Sequence, residues 1–300
     1  RFGLQPQVFG WVTDRSPAHL AVRDRVCLIT GGNGGIGFEI AQALAAEGAH
    51  VVIVARDETR GRAAIARIQR HSPKARVELE LADLSLQSSV RALAERTLAR
   101  GRPLHVLVNN AGVALFRRAE TAEGIERIWA TNVLGYHLLT TLLEPLLRAS
   151  APARVVTVAS GSASDLDLTD VEFKRRKYDV VTAYAQSKQA NRVWAHGLAR
   201  RLAGSGVTSN AMNPGQTATE AFKKAGGILA WVAHGYISVV AKPARDGADT
   251  AIWLAGSTDV DGVAGRYFEN RREVECPFRD PAAEDALWAV CDAMTARRPR

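Results

Sequence analysis

Short apolar blocks alternate with amphipathic stretches along most of the chain. Arg25–Thr30, His50–Ala55, Arg76–Leu81, Leu104–Asn109, Ala153–Ala159 and Val207–Met212 are β-branched or leucine-rich, as strands buried on both faces are. Between them, Phe38–Glu47, Arg60–His71, Ser88–Arg100, Ile125–Leu147 and Ala183–Leu202 carry apolar residues at helical spacing. Tyr267–Glu269 is a candidate last strand. Strand and helix in strict alternation predict βαβ units, and hence one doubly wound α/β domain, a parallel sheet with helices on both faces. Residues 1–24 lack a period and read as a leader lying against a domain that runs over 25–300.

A doubly wound sheet binds its ligands at the carboxyl ends of its strands. The first strand ends in TGGNGGIG over 30–37, and a helix follows at once. Glycines let the backbone approach a pyrophosphate, and the helix start offers unpaired N–H groups to its charge. Gly31, Gly35 and Gly37 are spaced GxxxGxG rather than GxGxxG, so a tight structural turn is the competing reading. The second strand ends in Arg56 and Asp57. An arginine there suits an adenosine 2′-phosphate, whereas an acidic residue would hold a 2′-hydroxyl. Arg56 therefore points to NADP rather than NAD, unless it is a surface charge; Asp57 either weakens that preference or caps the next helix.

Tyr184 and Lys188 stand four residues apart, which on a helix is one face and one turn. A cation beside a phenol favours phenolate and draws the tyrosine pKa down, as a proton donor to a nascent alkoxide requires. Alone, the pair is a common helical accident; downstream of a glycine-rich strand–helix turn it is chemistry.

TGGNGGIG at 30–37, NNAG at 109–112, Asn132, Ser160, the Tyr184/Lys188 pair and NPG at 213–215 occur in the order of the short-chain dehydrogenase/reductases, and the chain resembles that superfamily from about residue 24 to 295. NVLGYHLLT at 132–140, YAQSKQAN at 184–191, GRYF at 265–268 and the long 161–183 segment resemble the retinol dehydrogenase-like and WW-domain-oxidoreductase-like branch. The chain departs from that branch in showing no membrane anchor and in its 1–24 leader, which argues against a retinoid substrate. The resemblance implies a Rossmann-type sheet and a catalytic set of Asn132, Ser160, Tyr184 and Lys188. Tyr184 would give or take the proton, Lys188 would bind the nicotinamide ribose, Ser160 would hold the substrate oxygen, and Asn132 would support a proton-relay water. It also implies a cofactor cradle of Gly31, Asn33, Gly35, Ile36, Gly37, Arg56, Asp83, Leu84, Asn110, Ala111, Gly112, Pro214, Gly215 and Thr217, besides Tyr184 and Lys188. Asp83 would meet the adenine amino group, Asn110 to Gly112 would pass the adenosine ribose, and Pro214, Gly215 and Thr217 would border the nicotinamide. Each has a structural alternative: Ser160 as a turn residue, Asn132 as a helix-bending amide, Asp83 as a helix cap, and Asn109 and Asn110 as sheet-end hydrogen bonders.

Composition narrows the field. The chain has 300 residues, 47% of them hydrophobic, which is enough apolar surface for one folded domain. No run reaches the roughly 18 apolar residues of a membrane span. Cys27, Cys276 and Cys291 cannot all pair within one chain and form no metal-ligand spacing, and no secretory signal pattern is visible; a reducing cytoplasm is the expected compartment. The net charge of +8 comes from scattered residues and a few dense runs such as Lys174–Lys177, read as solvated surface, so nucleic acid is not the expected partner. After NPG, residues 216–243 are apolar and glycine-hinged, the makeup of a substrate lid, with core packing and peripheral membrane contact as alternatives. The expectation is an NADP(H)-dependent carbonyl reductase or alcohol dehydrogenase for a lipophilic ketone, aldehyde or secondary alcohol, with homo-oligomerisation left open. The alternative is a catalytically idle dinucleotide-binding protein whose surface serves interactions.

Overall fold

A computed structural model describes residues 20–162, 165–215, 243–276 and 279–296. Most of the 1–24 leader, nearly all of the 216–243 lid and Thr217 therefore lie outside the described residues. The strands are β1 (Val26–Thr30), β2 (His50–Ala55), β3 (Arg76–Leu81), β4 (Val106–Asn109), β5 (Ala153–Val158), β6 (Val207–Asn213), β7 (Tyr267–Glu269) and β8 (Arg272–Glu273). They form one sheet in the order β3-β2-β1-β4-β5-β6-β7-β8, parallel throughout except for the short antiparallel β8. This is the doubly wound α/β sheet that the alternating pattern predicts.

Period-two geometry explains why β1, β2 and β4 read as apolar runs, since successive residues go to opposite covered faces. Strand β3, expected to be buried on both faces, is instead an edge strand that alternates charged and apolar residues and is mostly half-buried or exposed. Leu28 joins the core beneath one helical layer with Leu107, Val155, Tyr136 and Trp194, while Ile29 joins the other with Val108, Val156, Phe38 and Leu44. The first layer holds α3 (Gln87–Ala99), α5 (Gly135–Ala149), α6 (Val180–Arg201) and α8 (Pro281–Thr295), with α4 (Arg127–Trp129) leading into α5. The second holds α1 (Gly35–Ala46), α2 (Glu58–His71) and α7 (Ala244–Gly256). Both α7 and α8 fall outside the predicted helices. Of the leader only residues 20–24 are described: Leu20 bridges to Ser257 and Val22 is buried.

The long helix expected over Ile125–Leu147 is not continuous. It begins behind Glu126, whose carboxylate accepts from the Ile128 and Trp129 N–H groups, and then passes through a π-helical stretch at Ala130–Leu134. There the Gly135 N–H reaches back five residues to the Ala130 carbonyl, inserting one extra residue into the turn. Asn132 sits in the middle of that insertion. Hydrophobic periodicity sees only that the face stays apolar, so the break is invisible to it.

Candidate active site

The topology reverses between β1 and β4, and the loops leaving these neighbouring strands open a crevice at their carboxyl ends. Thr30 ties the two together: its hydroxyl donates to the Val108 carbonyl at 3.1 Å and accepts from the Asn110 and Ala111 N–H groups at 2.8 and 3.1 Å. The Asn110 side chain returns to the Thr30 carbonyl at 2.8 Å, so Asn110 does serve sheet-end hydrogen bonding. Asn109 turns instead into the interior, toward Thr140 at 3.0 Å.

The glycines in this crevice are there for space and for backbone angle. Gly31 has φ +68° and Gly35 φ +52°, conformations that L side chains rarely adopt. A Cβ on Gly37 would run into the Gly31 carbonyl and the Asn110 amide, whereas one on Gly35 would meet nothing. The turn is thus tight on its inner side and open where Gly35 faces out. Helix α1 starts behind Gly34 without a side-chain cap and without an acidic residue in its first turn, so among the described residues no capping side chain fills its leading N–H groups. That is the donor set an anionic pyrophosphate needs, and the residues present fit a dinucleotide. Asn33 is half-buried in the turn and Ile36 packs into the core, so Ile36 offers the cleft only its backbone.

Arg56 lies at the end of β2, exposed and without an ion pair among the described residues. Asp57 accepts from the Arg60 N–H at 2.9 Å and caps α2, which turns its carboxylate to the helix start. Asp83 is not a helix cap, since α3 begins behind Leu86. One of its carboxylate oxygens is fixed by the Ser85 N–H and hydroxyl at 2.9 and 2.7 Å. Leu84 sends its side chain into the core.

On the other side of the crevice, α6 is launched by Asp179, whose carboxylate accepts from Thr182, and carries Tyr184 and Lys188 one turn apart. The Tyr184 phenol is hydrogen-bonded to the Ser160 side chain, which arrives on the loop beyond β5. Lys188 is buried, donates to the Val158 carbonyl at 2.9 Å, and has its Nζ 5.7 Å from the Tyr184 ring centre. Asn132 uses its side chain twice over: Oδ1 accepts from the Val113 N–H at 2.8 Å, and Nδ2 donates to the Val113 carbonyl and the Ser187 hydroxyl, each at 3.0 Å. Gly112 completes the enclosure, since a Cβ there would stand 3.4 Å from Asn132 Oδ1 and 3.7 Å from Lys188 Nζ. Pro214 and Gly215 follow β6, with the Gly215 N–H donating to Asn213 Oδ1 at 3.0 Å. Asn213 Oδ1 also accepts from the Gly161 N–H at 2.7 Å, joining the serine loop to the NPG loop.

The electrostatics depart from the expectation that Lys188 draws the Tyr184 phenol down. Burial outweighs the Ser160 hydrogen bond and pushes Tyr184 up to about 12, while burial pulls the Lys188 ammonium down to about 8. Burial thus works against the charged form of both groups, and it outweighs any help the ammonium gives the phenolate. Without a further charge in the cleft, Tyr184 is held as a neutral acid, the form that donates a proton.

Three further contributors carry no role of their own in the sequence reading, although Asn213 belongs to the NPG motif. Tyr136, one turn beyond Asn132, donates from its hydroxyl to the Ala111 carbonyl at 2.7 Å and so holds the NNAG loop from beneath. Ser187 accepts from Asn132 and donates to the Tyr184 carbonyl, bridging the π-helical stretch to α6. Asn213 ties two loops. The spacing of Tyr136 from Asn132 is the one local signal among them; the others are set by which strands end side by side.

A half-buried, hydrogen-bonded serine–tyrosine pair with a buried lysine one turn on, beside a glycine-lined dinucleotide crevice, defines a class of hydride-transfer enzymes. A short chain dehydrogenase family model matches residues 25–227, and the chain belongs to that family. Mouse polyprenol dehydrogenase is 40% identical over 88% of this chain and 82% of its own. Human retinol dehydrogenase 12 is 37% identical over 91% and 87%, and human WW domain-containing oxidoreductase 34% identical over 91% and 69%. Among solved structures, a Mycobacterium paratuberculosis protein of uncharacterised function aligns with a TM-score of 0.75 at 31% identity, covering 94% of this chain and 97% of that one. Pseudomonas aeruginosa RhlG in an active-site complex with NADP aligns with a TM-score of 0.65 at 28% identity, covering 82% and 94%. The chain is thus an oxidoreductase of this family, similar to the retinol and polyprenol dehydrogenases. No helix among the described residues is long and apolar enough to cross a membrane.

Proposed function

We propose that the protein is an NADP(H)-dependent oxidoreductase that interconverts a lipophilic ketone or aldehyde and the corresponding alcohol. The observation that carries the reading is the Tyr184 phenol hydrogen-bonded to Ser160, with the Lys188 ammonium one turn away. In reduction, Ser160 Oγ donates to the substrate oxygen and orients it, and Tyr184 Oη delivers its proton as negative charge develops there. The nicotinamide, when bound, supplies the hydride. An ammonium has three donors, and Val158 takes one of those of Lys188, which leaves others for ribose hydroxyls. The Asn132 side chain is committed to Val113 and Ser187, so it shapes the relay by fixing the π-helical backbone. In the reverse direction Tyr184 takes the proton back.

Arg56 supports NADP, because an exposed guanidinium at the end of β2, without an ion pair among the described residues, can meet a 2′-phosphate with two parallel hydrogen bonds. Asp57 does not oppose it, since its carboxylate is spent on the helix start. Relatives named for polyprenol and retinol support a lipophilic alcohol or carbonyl as substrate. The basic run at 174–177 is engaged locally: Lys174 pairs with Glu172, Arg175 bonds to Thr169, and Arg176 reaches Asp167 and Asp170. The test is a thermal-shift comparison of NADPH with NADH, followed by turnover of medium- and long-chain ketones, aldehydes and alcohols with the preferred dinucleotide. NADPH should stabilise more, and turnover should rise with chain length. A larger shift with NADH would overturn the cofactor assignment, and preference for small charged substrates would overturn the substrate class.

A further inference from the structure

The sheet stops holding the chain just before Ser160: the last ladder contact of β5 is the Ala159 N–H to the Met212 carbonyl at 2.9 Å. Something else must fix the serine. Arg192 lies one turn beyond Lys188 on the same face of α6, only 6% exposed, and no carboxylate among the described residues pairs with it. Burying a guanidinium without a counter-ion is costly, so stability alone does not account for its position. Its Nη2 donates to the Ser160 carbonyl. The buried Tyr267, from β7, donates its hydroxyl to the same oxygen at 2.9 Å, and the guanidinium lies 4.5 Å over the Tyr267 ring. A carbonyl has two lone pairs, and this clamp fills both.

We propose that Arg192 and Tyr267 are positioning residues that grip Ser160 from its main-chain side, so that its hydroxyl is presented to Tyr184 in one orientation. The inference rests on the reading of Ser160 and Tyr184 as the pair that meets the substrate oxygen. Among the described residues neither clamp side chain hydrogen-bonds to the glycine turn or the Asp83 loop, so the clamp lies apart from the pyrophosphate and adenine parts of the cradle. The buried Arg192 Nε has no hydrogen-bond partner among the described residues, as fits a cation placed to serve one carbonyl rather than a full set of ion pairs.

Arg192→Met, Arg192→Lys and Tyr267→Phe, each in the wild-type and the Ser160→Ala backgrounds, test this. Hydrogen exchange on the protein without substrate reads the Gly161 and Ser162 amides, which donate to Asn213 and to the Ser160 hydroxyl. Arg192→Met should speed exchange there about tenfold while leaving the core strands unchanged, the effect of losing one charge-assisted hydrogen bond. Turnover of decanal with NADPH should fall about tenfold or more, with the NADPH dissociation constant within about twofold of wild type, and Arg192→Lys should restore most of it. In the Ser160→Ala background Arg192→Met should cost nothing further. Unchanged exchange in Arg192→Met overturns the clamp, as does a turnover loss that persists fully in the Ser160→Ala background. Wild-type turnover in Ser160→Ala alone would instead refute the catalytic reading of the serine, while the exchange result still decides whether Ser160 is clamped.

Discussion

Lys188→Met separates what the lysine does for chemistry from what its burial costs the fold. Methionine keeps the length and apolar stem of the side chain and removes the charge. Burial lowers the folded-state pKa of Lys188 from an ordinary 10.5 to about 8. For a lysine lowered on folding, the unfolded chain binds more protons between the two values, so stability rises with pH in that window. The penalty for holding the ammonium in the core is fully present below about pH 8, and it fades as pH rises toward the unfolded value. At 1.36 kcal/mol per pKa unit the whole penalty is about 3 kcal/mol, of which about 2 kcal/mol is recovered between about pH 7 and about pH 9.5. Urea unfolding of both proteins at these two pH values reads the difference directly. The other titrating groups are common to both proteins and cancel, as does the nearly pH-independent loss of the hydrogen bond to Val158. Wild type should gain about 2 kcal/mol relative to Lys188→Met on going to the higher pH. If the two proteins shift in parallel to within about 0.5 kcal/mol, the lysine is not held charged at a cost and the burial argument fails.

Tyr184→Phe removes one transferable proton and should lower turnover by about 10²–10⁴-fold while NADPH binding is kept; activity within about threefold of wild type would remove Tyr184 from the proton path. Arg56→Ala should erase most of an NADPH preference of about 10- to 100-fold, the worth of one charge-assisted contact. Fluorescence titration with NADPH and NADH checks this, and a variant that keeps its full preference would exclude Arg56 as the 2′-phosphate partner. Gly37→Ala forces a methyl group against the Gly31 carbonyl and the Asn110 amide, and should cost about 1–3 kcal/mol of stability together with most dinucleotide affinity. Calorimetry with and without NADPH measures both, and normal binding by this variant would show that the turn can open without consequence.

What the sequence determined by itself is local. The central strands β1, β2 and β4 are legible because a residue buried on either face of a parallel sheet is apolar as a rule, so each is a short apolar run, while the edge strand β3 shows itself by alternation. The glycine turn is legible because positive φ and close backbone approach demand a missing Cβ at Gly31, Gly35 and Gly37. The one-turn spacing of Tyr184 and Lys188 follows from helix geometry alone, and the cap at Asp57 from residue type and position. Asn132 was readable as a motif residue, but its place inside a π-helical stretch was not, because an inserted turn residue leaves the apolar face almost unchanged. Only the tertiary structure decided which long-range groups meet. Sheet order sets β1 beside β4 and lets Thr30 hold the Asn110 loop; β5 beside β6 lets Asn213 hold the serine loop; β7 brings Tyr267 to the Ser160 carbonyl. Burial is likewise a property of the assembled layers rather than of any segment. For that reason the proximity of Tyr184 to Lys188 could be read along the chain, whereas the raised phenol and the depressed ammonium could not.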